Sequence, residues 1–144
     1  MFRTILFDVD GVLLSEERYF DASALTVWEL LSSPLYLNQL VTPSFRPDPE
    51  EPVIRLLRKT VFDEDRVLDF IKERGINANW DMVYLVFSYQ FIRFLEAAQP
   101  GYREQVADLL SRPLTAESLA VCRTWQVSYS PQWDAFVADF SRGT

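Results

Sequence analysis

Of the 144 residues, a single stretch has the pattern of a β-strand, and it stands at the N-terminus: residues 3–14, RTILFDVDGVLL. Ile5, Leu6 and Phe7 form a continuous apolar run, as in a strand buried on both faces of a parallel sheet. Asp8 to Gly11 then break it with short polar residues and a glycine. Such a strand needs a neighbour to take up its N–H and C=O groups, and no second β-patterned segment follows. The nearest, Leu119 to Trp125, has Arg123 within it and suits a helix. The expected fold is therefore mostly α, a helical bundle carrying one N-terminal β-strand.

Helical signals fill the rest. Glu16 to Leu31 places Tyr19, Phe20, Leu25, Val27, Trp28 and Leu31 at amphipathic spacing, and Pro34 ends it. Five of the eight prolines fall between Pro34 and Pro52, which marks an irregular loop. Asp63 reads as an N-cap with Glu64 and Asp65 in the first turn, Lys72 and Arg74 in the last, and Gly75 just past the end. Asn79 to Ala98 is apolar on nearly all sides, a mostly buried central helix closed by Pro100, with its aromatic stretch from Trp80 to Phe94 assigned to the core. Tyr102 to Leu110 is a further short helix, Thr115 caps another running toward Trp125, and Ser130-Pro131 opens a last one that Gly143 stops.

Composition removes whole classes of chemistry. With 14 Lys+Arg against 21 Asp+Glu the net charge is -7, a poor surface for a phosphate backbone, so nucleic acid is not expected as a partner. No histidine is present, which excludes Ser-His-Asp and Cys-His nucleophile systems and His-based metal sites. The one cysteine, Cys122, makes neither an internal disulfide nor a thiolate zinc site, and reads as a buried small hydrophobe. Any metal ligands would be oxygen, which points to Mg²⁺. The most apolar stretch, Met82 to Phe87, is too short to span a bilayer, and with no signal segment or disulfide framework the expected compartment is the cytoplasm.

Two carboxylates, Asp8 and Asp10, stand at i and i+2 directly after the apolar run. At a strand's C-terminal end such a pair points into one crevice, where open α/β sheets bind ligands. Paired carboxylates suit Mg²⁺, which takes few protein oxygens and keeps waters and substrate phosphate as its other ligands. One carboxylate can serve as nucleophile while its neighbour handles protons.

The segment ILFDVDGVLL resembles motif I of the haloacid-dehalogenase-like (HAD) superfamily, a hydrophobic strand followed by DxDG. The resemblance implies that Asp8 is a nucleophile forming an aspartyl-phosphate and that Asp10 protonates the leaving group and then activates water. It further implies that the Asp8 carboxylate and the Asp10 backbone carbonyl hold Mg²⁺, while the N–H groups of Val9 and Asp10 cradle the phosphoryl oxygens. The helical block that follows is similar in position to the family's C1 cap. Residues 1–15 then belong to a Rossmann-like α/β core and residues 16–144 form the cap. The family's Ser/Thr, Lys and final acidic pair have no counterparts in order: the lysines, Lys59 and Lys72, precede any second strand.

The expectation is thus the N-terminal part of a Mg²⁺-dependent phosphohydrolase acting on a small phosphorylated metabolite, inactive as it stands. The alternative is a stand-alone helical interaction module that retains a non-catalytic motif I. Arg18 and Tyr19, just past the DxDG turn, are candidates to touch the leaving group, and Arg46, Arg55 and Arg58 flank the proline-rich loop. Asp63-Glu64-Asp65 is read as helix-dipole complement, not as a metal site. The unpartnered run Thr4 to Phe7 is expected to drive homodimerisation through the N-terminal segment.

Overall fold

The structure, a computed structural model, describes residues 3–6 and 15–142. Among them are six helices and no strand: α1 Glu16–Ser32, α2 Glu51–Val61, α3 Arg66–Lys72, α4 Asn79–Leu110, α5 Ala116–Cys122 and α6 Phe136–Arg142. The expected strand is therefore corrected: Arg3 to Leu6 has no regular structure, with Ile5 75% and Leu6 91% exposed. The reason lies in pairing, because nothing else among the described residues offers a ladder of N–H and C=O groups. Phe7 and the whole Asp8–Gly11 turn lie outside the described residues.

The bundle is organised around α1, which packs chiefly on α2 and α4. Phe20, Ala24, Val27, Trp28 and Leu31 recur at helical spacing and are all buried, each large one contributing about 1.5–3 kcal/mol of transfer energy. The helix stops where Pro34 follows, and the Ser33 N–H closes the last turn on the Glu29 carbonyl at 2.9 Å. The proline-rich loop is irregular as expected, yet it is pinned to the core. Leu37 and Val41 are buried, and the Trp28 indole N–H donates to the Pro43 carbonyl at 2.8 Å with Phe45 packed 5.1 Å from its ring.

Pro52 in the first turn starts α2, for which no expectation stood. Only Leu57 and Val61 are fully buried there, so its signal is an amphipathic stripe too short to stand out from the prolines before it. The N-cap expected at Asp63 is also corrected. Asp63, Glu64 and Asp65 have φ of 49°, 55° and 66°, three consecutive left-handed residues that reverse the chain before α3 begins at Arg66. Gly75, with φ 80°, stands past the end of α3 as expected.

The range Asn79–Leu110 joins two helical segments across a kink at Tyr102, whose φ of −133° is non-helical, so the expected break stands at Tyr102, two residues after Pro100, and the expected helix to Leu110 follows it. Proline removes one backbone donor and bends the helix, while Tyr102 stacks 5.0 Å from Trp125 and accepts the Gln126 N–H at 2.8 Å, which holds the bent arm in place. Not all of the aromatic stretch is core. Trp80 is 83% and Tyr84 69% exposed, whereas Met82, Val86, Phe91 and Phe94 are buried. A helix apolar all round has more apolar surface than one bundle can cover.

Thr115 opens α5 as expected, its N–H donating to Ser118 Oγ at 3.0 Å, but the helix ends at Cys122 instead of running toward Trp125. Cys122 is buried, as expected. Ser130-Pro131 starts no helix; that segment is irregular and α6 begins only at Phe136. Residues 129–132 are held instead by a buried side chain of α4, Gln90.

Candidate functional site

The acidic candidates Asp8 and Asp10, and the amides of Val9 and Asp10, lie outside the described residues. The described chain resumes at Ser15, and a cleft of about 410 Å³ opens there between the N-terminal half of α1 and α2. Arg18, Arg55, Arg58 and Lys59 line it together with Glu17, Asp21, Glu51 and Asp65. The fold brings these charges together because α1 and α2 bury their apolar stripes against each other and the core, leaving both polar faces to meet along one seam.

The charges form one continuous network, in which Asp21 lies 3.6 Å from Arg18 and 3.8 Å from Arg58. At one end Arg18 Nη1 donates to both Glu51 carboxylate oxygens, at 3.0 and 3.2 Å, and Arg55 Nε lies 3.5 Å from the same carboxylate. The Arg18 hydrogen bond holds the Glu51 carboxyl below its ordinary pKa, and the same bond raises that of the Arg18 guanidinium. At the other end Arg58 meets Glu17 at 3.2 Å, Asp65 at 3.4 Å and Asp21 at 3.8 Å. Its guanidinium lies over the Phe20 ring, 5.4 Å from the centroid, and its side chain is only 14% exposed. Lys59, one helical turn beyond Arg55, lines the cleft and makes no ion pair among the described residues.

The sequence candidates divide accordingly. Arg18, Arg55 and Arg58 share the cleft. Tyr19 is half-buried and is not among the residues lining the cleft, and its backbone carbonyl accepts the Ser23 hydroxyl at 2.8 Å. Arg46 stands apart, beside Trp28, Phe45 and Pro47 in a separate hollow of about 310 Å³. Lys59 and the acids Glu17, Asp21, Glu51 and Asp65 had not been singled out together. A 4-residue spacing of Glu51, Arg55 and Lys59 marks one face of α2, but that face is legible only once residues 51–61 are known to be helical.

Asp63-Glu64-Asp65 is drawn into ion pairs through Asp63 and Asp65. Asp63 binds Arg66 at 2.7 Å and Asp65 binds Arg58, and no group of three His, Cys, Asp or Glu among the described residues could hold a metal ion. Another hollow, of about 700 Å³, lies between the bent arm of α4 and α5, lined by Glu104, Asp108, Glu117, Leu109, Val121 and Trp125. None of the sequence candidates borders it.

No family model and no curated protein matches the chain. An X-ray structure described as a Northeast Structural Genomics Consortium target is similar, with a TM-score of 0.76 and 32% identity over 94% of this chain. This chain spans 35% of that chain's length. No helix among the described residues is long and apolar enough to cross a membrane.

Proposed function

We propose that this chain is the N-terminal part of a HAD-like phosphohydrolase, with Asp8 as nucleophile, Asp10 as general acid and base, and the helical bundle as the cap that meets the leaving group. The observation that carries the reading is continuity. The DxDG turn ends four residues before Ser15, and Ser15 borders the only cleft among those described that gathers three guanidiniums and an ammonium. The match to about a third of a longer protein supports it too, since such a cap works together with more chain.

In this reading an Asp8 carboxylate oxygen attacks the phosphorus of a phosphate monoester. The bond to the ester oxygen breaks as Asp10 passes that oxygen its proton. Asp10, now ionised, takes a proton from water, and the water oxygen displaces Asp8 from phosphorus, releasing inorganic phosphate and restoring both carboxyls. The Asp8 carboxylate and the Asp10 carbonyl would hold Mg²⁺, which would supply neutralisation of phosphoryl charge. Arg18 and its neighbours meet the leaving group from the cap side.

The test compares the 144-residue chain with the longer product of its own reading frame. The short chain is expected to show no appreciable hydrolysis of p-nitrophenyl phosphate. The longer protein is expected to hydrolyse it with Mg²⁺ and to carry phosphate on Asp8. An Asp8→Asn longer protein retaining near-normal turnover overturns the assignment. A natural stop at Thr144 with no turnover supports a helical interaction module instead.

A further inference from the structure

The hollow of about 700 Å³ between the bent arm of α4 and α5 is a groove with one helix face on each side. Glu104, Asp108 and Arg112 recur at every fourth position along the arm and its end, and Glu117, Val121 and Trp125 do so along α5 and its exit. At 1.5 Å per residue, the stripe from Glu104 to Arg112 runs for about 12 Å. Leu109 and Trp125, both nearly buried, close the base, while Val121 on the side is 53% exposed.

The groove is preformed. Trp125 stacks 5.0 Å from Tyr102 and 6.4 Å from Phe94. The Tyr102 hydroxyl accepts the Gln126 N–H at 2.8 Å, which ties the kink at the start of the arm to the chain leaving α5. A ligand entering such a groove does not have to order it first.

Its charge is one-sided. Three carboxylates (Glu104, Asp108 and Glu117) line it against one guanidinium, and that one, Arg112, is already paired with Asp108. The nearby arginines add nothing to the lining. Arg103 is not part of it, and Arg123 donates instead to the Pro34 and Leu35 carbonyls at 3.0 and 2.8 Å. Glu104 and Glu117, one on each helix, make no ion pair among the described residues.

An apolar base between two unpaired carboxylates suits an apolar stripe bordered by cations. A trough about two helical turns long between two helices suits a third helix. A second copy of this chain is a poor occupant, because a net charge of -7 makes copies repel. We propose that the groove docks a basic amphipathic helix of a partner protein. Its apolar face lies on Leu109, Val121 and Trp125, and its Lys or Arg side chains reach Glu104 and Glu117. The site is separate from the cleft beside Ser15 and stands whether or not the phosphohydrolase reading does.

The test uses a synthetic peptide of about 14 residues built from Leu, Ala and Lys, with Leu at helical spacing and Lys on both borders. It is titrated into the ¹⁵N-labelled 144-residue chain beside two controls, one with Glu in place of every Lys and one with the same residues scrambled. The basic helix is expected to bind about tenfold more tightly than either control, with amide shifts at residues 103–110 and 116–125. Glu104→Gln combined with Glu117→Gln is expected to weaken it about five- to tenfold, and Val121→Ser about threefold. All three positions are exposed, so melting temperature is expected to stay close to the parent's. Equal binding of the basic and acidic peptides, unchanged affinity in the double variant, or shifts confined to the Trp80 and Tyr84 face of α4 overturn the proposal. Concentration-dependent shifts of the groove residues without peptide mean that a second copy occupies it, and also overturn it. So does loss of peptide binding in the longer product of the reading frame, which means that the chain's own continuation fills the groove.

Discussion

The Tyr129 hydroxyl donates to Gln90 Oε1 at 2.8 Å, linking the irregular segment before α6 to the buried centre of α4. Gln90 is 1% exposed and bonded through both ends of its amide: its Oε1 also accepts the Gln132 N–H at 3.1 Å, and its Nε2 donates to the Gln132 carbonyl at 3.1 Å. One amide thus substitutes for the helix that Ser130-Pro131 would have started. Removing it leaves the Tyr129 hydroxyl and both Gln132 backbone groups without these partners. Gln90→Leu is expected to cost about 1–3 kcal/mol, read by urea denaturation, although leucine is the more apolar residue. Unchanged or increased stability would show that the network is dispensable.

Alkaline pH tests the neighbouring pair. Tyr89 donates to the Asp139 carboxylate at 2.7 Å, and burial first, then that bond, raises its pKa from 10 to about 12. A group whose folded pKa is raised contributes stability that is complete below its unfolded pKa. Here that contribution declines as pH rises from 10 through about 12, because the unfolded chain releases the proton first. Melting temperature is expected to fall across that window, and Tyr89→Phe is expected to flatten the part of the fall that belongs to this hydroxyl. A Tyr89→Phe protein with the same slope as the parent would contradict the assignment.

Burial pushes the Cys122 thiol from 9 to about 11, so the reactive thiolate is scarce in the native state at pH 8. Iodoacetamide is expected to label the folded chain far more slowly than the chain in urea. Equal labelling rates would mean that α5 opens readily.

The left-handed turn makes two opposite predictions. Glu64, φ 55°, is exposed with no ion pair among the described residues, so Glu64→Gly relieves strain with little lost contact and is expected to raise stability by up to about 1 kcal/mol. Gly75, φ 80°, has open space where a Cβ would stand, so Gly75→Ala costs only backbone strain, about 1 kcal/mol. Thermal denaturation of both variants separates the two signs; a stabilised Gly75→Ala would refute the conformational account.

Much of the helical order was legible because its signals are local. The apolar spacing from Phe20 to Leu31, the cap at Thr115 and the glycine after α3 each act within a turn or two of chain. Pro100 marks a stop, and the break falls at Tyr102, where the stack on Trp125 sets how the following arm lies. The errors fell where distant contacts decide. Ser130-Pro131 looks like a start, yet Gln90 claims the same backbone groups.

The site divides in the same way. The DxDG run, the lack of histidine and the single cysteine bound the chemistry from composition and adjacency alone, since nucleophiles and metal ligands must be present before they can be arranged. Arg18 stood out by being near that run in sequence. That it faces Glu51, 33 residues away, while Arg58 collects Glu17, Asp21 and Asp65, followed only from the packing of α1 on α2. Local periodicity sets which face of each helix is polar, but the meeting of two polar faces depends on how their apolar stripes dock. That docking is a property of the whole core, and so the ion-pair network within the cleft belongs to the tertiary structure.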